Sequence, residues 1–394
     1  MSQARRLWNP FLTSKPLLEN TPRGENENQL LDACKNGNVG EVEQLLQEQN
    51  IDLNCQDDSN MRKTPFFLAC EKGHIEVVEL LLYDERIDFN KSINYGWTSF
   101  YVACREGKIE IVKLLLNDKR IEIRKANVND VTPYYIACQF GHFDVVQLLL
   151  SAEGIDESIL NKSLEDGHTP FFIACQYGRA RVVKLLLNDR RSEINKAKND
   201  GVTPFFLACY NGHIEVVESL LNDERIEINI NQAINNGATP FYIACHNGHV
   251  EIVKLLLNYP KEDVIEINKT MKDGATPFFI ACGNGHIEVV RLLLENNKVE
   301  RNHPSTITGV WTPFYFACQN GHIEVVKLLL NDPKMNVDEE VIDGITAFYI
   351  ACQNGHIEIA KLLLNDERAN INKANKEGVT PFMIACQKGH IEKV

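Results

Sequence analysis

The residues best suited to chemistry are twelve cysteines and eleven histidines, and their spacing decides what they can do. Cys34, Cys70, Cys104, Cys138, Cys175, Cys209, Cys245, Cys282, Cys318, Cys352 and Cys386 each follow an alanine at a regular interval. If successive intervals are stacked helical modules, equivalent sites lie roughly 8–10 Å apart. A disulfide needs Cα atoms within about 4.4–6.8 Å. These thiols therefore read as small buried hydrophobes in a reducing compartment, not as disulfide, redox or metal ligands. Cys55 stands outside the register, in an expected loop, and takes no assigned role.

The histidines repeat as well. His74-Ile75-Glu76 shares the His-x-Glu half of a zinc deaminase signature, but no Pro-Cys-x-x-Cys accompanies it. His142, His213, His249, His286, His322, His356 and His390 recur in the same frame. Ligands of one zinc sit about 2 Å from the metal, which side chains a helix-width apart cannot do together. They are expected to start helices and bond backbone or an adjacent loop. Phosphate-binding Gly-rich loops and the Gly-x-Ser-x-Gly elbow are missing from the sequence. The acids follow the same interval (Asn188-Asp189, Asn222-Asp223, Asn365-Asp366), as solvated loop residues would. No catalytic residue, cofactor or metal is expected.

The elements that carry these residues come from one string. Thr-Pro-Phe-Phe-Leu-Ala-Cys begins at Thr64, and copies begin at Thr98, Thr132, Thr169, Thr203, Thr239, Thr276, Thr312, Thr346 and Thr380, 34 to 37 residues apart. A degenerate copy runs from Asn28 to Cys34. Such a period belongs to helical solenoids. Thr64 is a good N-cap, and Pro65 takes the first helical position, where its missing N–H costs nothing. Gly73 ends the short apolar helix. A second helix follows from about His74 to Leu82, apolar except at Glu76 and Glu79. That stripe is too broad for packing on one side only. The remaining segment, such as Ile226-Glu227-Ile228-Asn229 through Gly237, alternates and turns as a hairpin finger would. One such unit cannot bury its own faces, so stacking is compulsory.

With Gly201-Val202-Thr203-Pro204, Ala208-Cys209, Gly212-His213 and Ile228-Asn229, the sequence resembles the ankyrin-repeat family. The resemblance implies an all-α solenoid of about eleven repeats, with the last one truncated. Units begin near 28, 64, 98, 132, 169, 203, 239, 276, 312, 346 and 380. The family's Leu-His pair is replaced by two aromatics, as in Phe241-Tyr242 and Phe314-Tyr315. Ser99 and Ala347 stand in place of proline, Lys108 and Arg179 in place of the Gly-His histidine, and Asp130 in place of a turn glycine. Gly309 is displaced by one residue.

Residues 1–27 lack the pattern and carry Pro10, Pro16 and Pro22, so this segment is expected to be disordered or loosely attached, with Trp8, Phe11 and Leu12 as a possible linear motif. The array then fills 28–394. Extra residues before Thr169, Thr239, Thr276 and Thr312 fall in loops, where added length is cheap. The sequence stops at Val394 before the last Leu-Leu-Leu, which suits either a fragment of a longer chain or a frayed final turn.

A net charge of -13 argues against nucleic acid, and no apolar run is long enough to span a bilayer. With no signal-peptide core either, the expected address is the cytoplasm or the nucleus, and the expected state a monomer. The resemblance implies a protein partner held on a concave face lined by finger tips and the exposed ends of the first helices, at the two residues after each cysteine. On that basis the candidate contacts are Arg105, Glu106, Phe140, Tyr177, Tyr210 and His246, with Trp97 and Trp311 at the finger position before the threonine. The Gln-Asn pairs of repeats six to ten read as filler. The leading function is a non-enzymatic interaction scaffold or adaptor. The alternatives are the targeting part of a larger enzyme or receptor whose catalytic part lies beyond Val394, and a mechanical spacer.

Overall fold

The computed structural model describes residues 24–225, 230–260, 264–305 and 310–390. Most of the 1–27 segment, the alternating Ile226–Asn229 stretch, Gly309 and the residues after His390 lie outside the described residues.

The described elements are helices in pairs. First helices run over Glu25–Asn36, Pro65–Lys72, Ser99–Arg105, Pro133–Phe140, Pro170–Gln176, Pro204–Asn211, Pro240–Asn247, Pro277–Gly283, Pro313–Gln319, Ala347–Asn354 and Pro381–Gln387. Second helices run over Val39–Leu46, Ile75–Leu82, Ile109–Leu116, Phe143–Leu150, Ala180–Asn188, Ile214–Leu221, Val250–Leu257, Ile287–Glu295, Ile323–Leu330 and Ile357–Leu364. Repeats are numbered by their first helices, so Thr132 opens the fourth, Thr169 the fifth and Thr203 the sixth. The first helix starts at Glu25, three residues ahead of the first recognisable copy. Contacts divide the chain into two units, Met1–Ala103 with Glu110–Glu122, and Cys104–Ile109 with Ile123–Val394.

Both units are built on the same local rules. Each cap threonine accepts a hydrogen bond from the N–H three residues on, as Thr203 does from Phe206 at 3.1 Å. The cap survives without proline, since Thr98 and Thr346 still accept from Tyr101 at 3.1 Å and Tyr349 at 3.3 Å. Behind it the aromatic pair is buried, with Phe66 and Phe67 in the first unit and Phe171, Phe172, Phe205 and Phe206 in the second. In the second helices the paired valines and the middle leucine, such as Val216, Val217 and Leu220, are fully buried. The flanking Ile214 and Leu221 are half-buried, which accounts for the breadth of the apolar stripe.

The fingers are tighter than hairpins. Most described ones close with an N–H reaching a carbonyl four residues on, as Lys198 does to Val202 at 2.9 Å and Asn375 to Val379 at 2.9 Å, while Asp57 reaches Lys63, six residues on, at 2.9 Å. The one extended pairing among the described residues is the Ser305–Trp311 bridge. Asp130 takes the left-handed conformation itself (φ 62°), a region aspartate tolerates better than most residues, so the missing glycine leaves the turn intact. Aromatic contacts replace the absent family histidine as the link from finger to helix: Trp97 stacks on Tyr101 at 5.5 Å, His168 meets the edge of Phe172 at 4.8 Å, and Trp311 packs on Tyr315 at 5.5 Å.

One sequence reading needs correction here. The extra residues before Thr169 include a short helix, Glu157–Leu160, whose Ile159 and Leu160 are buried, so this insertion extends the core instead of remaining a loop. Cys55 lies in a loop, as expected, and is buried there in a cluster with Leu31 and Leu68, with its Sγ 3.7 Å from the Glu27 carbonyl.

Candidate interaction surface

A helix of eight residues leaves four C-terminal carbonyls without internal partners, and a stacked repeat must satisfy them. In the second unit this task falls to the Asn and His that flank the turn glycine of the following repeat. The Gln176 carbonyl accepts from Asn211 Nδ2 at 3.1 Å and His213 Nε2 at 2.9 Å. Tyr210 O receives Asn247 and His249, at 2.8 and 2.9 Å. The carbonyls of His246, Gly283 and Gln319 are held in the same way by Asn284 with His286, Asn320 with His322, and Asn354 with His356. Both lone pairs of each oxygen are thereby used. The Asn of each Gln-Asn pair is thus a tie between repeats and not filler. The imidazole also roofs the glycine: a β-carbon on Gly212, itself at φ +75°, would lie 2.7 Å from His249.

The fourth and fifth repeats depart from this scheme. Phe140 and Tyr177 take the asparagine position, while Arg105 O receives His142 (2.7 Å) and Gln139 O receives Arg179 Nε (2.9 Å). Phe140 and Tyr177 are each 40% exposed and Tyr210 37%. The three are not in one register. Tyr210 aligns with Gln176, one residue earlier, which turns it by about 100° around the helix axis. Arg105 is half-buried, ion-paired with the exposed Glu106, and places its guanidinium 5.2 Å from the Phe140 ring centre. Phe140 also lies parallel to His142 at 6.1 Å, and Arg179 stands 5.8 Å from the Tyr177 ring. His246 is half-buried, with its ring turned to its own neighbour Asn247 at 2.8 Å. Trp97 and Trp311 are half-buried against the tyrosines of their own repeats, as described above. Arg105, Glu106, Phe140 and Tyr177 thus lie at successive first-helix ends, and each of these tryptophans packs on the tyrosine of its own repeat.

The recurring aspartates are also not simple loop acids. Asp223 holds the Arg225 guanidinium at 2.7 Å, and Arg225 reaches the Leu187 carbonyl at the end of the preceding second helix at 2.8 Å. Asp84–Arg86, Asp118–Arg120, Asp189–Arg191 and Asp366–Arg368 do the same to Leu46, Leu82, Leu150 and Leu330. The hydrogen bond from arginine holds each of these carboxyls below the ordinary aspartate range. A depressed folded-state pKa contributes stability that is complete above the unfolded value, about 3.9, and is lost as pH falls through the folded value. Thermal unfolding is thus expected to drop steeply below about pH 4. Asp223→Asn should be less stable at neutral pH and show a flatter acid limb, and parallel acid limbs for variant and parent would refute the clamp.

Each in-register cysteine from Cys34 to Cys352 is buried and free, and burial pushes these thiols upward, Cys352 to about 11. No group of three or more His, Cys, Asp or Glu side chains among the described residues is placed to hold a metal ion. No helix among them is long and apolar enough to cross a membrane.

Comparison with known proteins agrees with this geometry. The family model described as ankyrin repeats (3 copies) matches residues 12–93, 30–129, 88–161, 135–232, 224–303, 262–339 and 314–394. The chain is similar to the crystal structure of the ankyrin repeat domain of Bcl-3, described as a unique member of the IkappaB protein family. The two share 25% identity and a TM-score of 0.50 over 58% of this chain and 98% of that one. No curated protein matches the chain. Overlapping matches along its length, with the capped helix pairs and glycine-histidine turns that the structure describes, place the chain in the ankyrin-repeat family.

Proposed function

We propose that this chain is a non-enzymatic scaffold that docks a protein partner across repeats three to six, on the row of first-helix ends centred on Phe140, Tyr177 and Tyr210. Ankyrin repeats are in general protein–protein interaction modules, and their fold is typically non-catalytic. One observation carries the choice of surface. At the position where five successive repeats spend an asparagine on holding the stack together, repeats four and five place an exposed aromatic ring and give up that bond. Sequences break their own local rules mainly at functional sites. Aromatic and arginine side chains also dominate interface energies. The surface is held by the helices beneath it, which limits the ordering cost of association.

The variant Phe140→Ala/Tyr177→Ala/Tyr210→Ala should keep its helical content and melting temperature. Capture of partners by the full chain, followed by quantitative mass spectrometry, should fall by at least about tenfold in the triple variant. An unchanged partner profile would refute the site while leaving the fold untouched.

A further inference from the structure

The fifth repeat departs from the array's own pattern at three neighbouring positions: an aromatic replaces the stacking asparagine, and arginines replace the histidine and the acid. Where the other repeats read Asn-Gly-His-x-Glu or a close variant, this one reads Tyr177-Gly178-Arg179-Ala180-Arg181. The third change has a second effect. In five repeats the glutamate at this place pairs with a cation three residues on: Glu110 with Lys113, Glu251 with Lys254, Glu288 with Arg291, Glu324 with Lys327 and Glu358 with Lys361. In the fifth repeat the partner of Lys184 is Arg181, a like charge on the same helix face, which disfavours the helix. From Gly167 to Asn188 the chain carries Arg179, Arg181 and Lys184 and no Asp or Glu. The matching stretch from Gly201 to Asn222 carries Glu215 and Glu218 and no cation.

None of the three cations forms an ion pair among the described residues. Arg179 spends its Nε on the Gln139 carbonyl and stands beside Tyr177, and the exposed Arg181 lies over the Phe143 ring at 4.4 Å. Lys184 is exposed. Arg179 and Arg181 thus stand beside the Tyr177 and Phe143 rings with no acid paired to them, on a protein of net charge -13.

We infer that this surface, on the fourth and fifth repeats, binds an acidic protein segment whose carboxylates face Arg179 and Arg181 and whose apolar side chains pack on Phe140 and Tyr177. The inference rests on the docking surface proposed above and adds the chemical class of its occupant. A peptide suits the surface better than nucleic acid does. Two arginines in one repeat, flanked by acidic repeats, attract an extended polyanion weakly, whereas a carboxylate pair and a few apolar contacts fit.

The test uses the full chain and a displayed library of random peptides. Selected peptides should be rich in Asp and Glu beside Leu, Ile or Phe, and should bind more weakly as salt is raised. Arg179→His/Arg181→Glu restores the array's own residues at both positions and the Glu–Lys pair, so it should fold at least as well as the parent. It should weaken the selected peptides by at least about tenfold in fluorescence anisotropy. Enrichment of neutral or basic peptides, failure to enrich any sequence, unchanged affinity in this variant, or tighter binding of a single-stranded oligonucleotide at the same arginines would each overturn the inference. Loss of selected peptides in the triple alanine variant but not in Arg179→His/Arg181→Glu would keep the surface and discard the acidic class. Retention in both would discard the two together.

Discussion

Truncating Phe205 to alanine is expected to destabilise the array by about 3–5 kcal/mol, the usual cost of removing a buried aromatic ring. Phe205 is fully buried in the first helix of the sixth repeat, which packs on the first helices of the fifth and seventh. In a stack, stability is a sum of repeat and neighbour terms, so a weak central repeat loosens the coupling of the blocks on either side. Urea unfolding should shift to a lower midpoint and lose its single steep transition. Phe382 occupies the same place in the eleventh repeat but is 69% exposed, and its truncation should cost under about 0.5 kcal/mol. Equal losses at the two sites would contradict burial by neighbouring repeats as the source of stability.

Gly283 and Phe316 are expected to behave as one unit. A β-carbon on Gly283 would sit 1.9 Å from Cδ1 of Phe316, whose ring is held between Phe279 at 4.9 Å and Trp311 at 5.7 Å. The next two repeats have Gln319 and Gln353 at the glycine position, and most repeats have an aliphatic residue at the Phe316 position. Gly283→Gln alone should cost about 1–3 kcal/mol through overpacking. Adding Phe316→Ile should recover most of that loss, with a coupling energy of about 0.5–3 kcal/mol in a double-mutant cycle. Strictly additive energies would show that the ring moves aside freely.

What the sequence reveals and what it hides have a common physical origin. Thr203, Pro204 and Gly212 act through dihedrals and hydrogen bonds within a few residues, so their types alone announce a helix start and stop. The alanine-cysteine pairs announce a core because no exposed position needs two small residues at every turn of the array. Asn247 also recurs, but its partner is the carbonyl of Tyr210, 37 residues away, and recurrence alone does not say what a residue touches. Asp223 looked like a solvated acid for the same reason, although the arginine two residues after it recurs with it as Arg86, Arg120, Arg191, Arg225 and Arg368 and marks the clamp. The one-residue offset of Tyr210 from Phe140 and Tyr177 is visible on strict alignment of the repeats. The chain's aromatic pattern points to the helix ends of the proposed docking surface, and its charge pattern points more sharply, through Arg179 and Arg181, to the fifth repeat.

The sequestered thiols, one in nearly every repeat, give the array a built-in map of its own opening. A buried cysteine held in its protonated form reacts with alkylating reagents only when its surroundings part. Brief alkylation under native conditions, followed by peptide mapping, would rank the modules by how often each one breathes, with Cys209 and its neighbours slowest and the less enclosed Cys386 fastest.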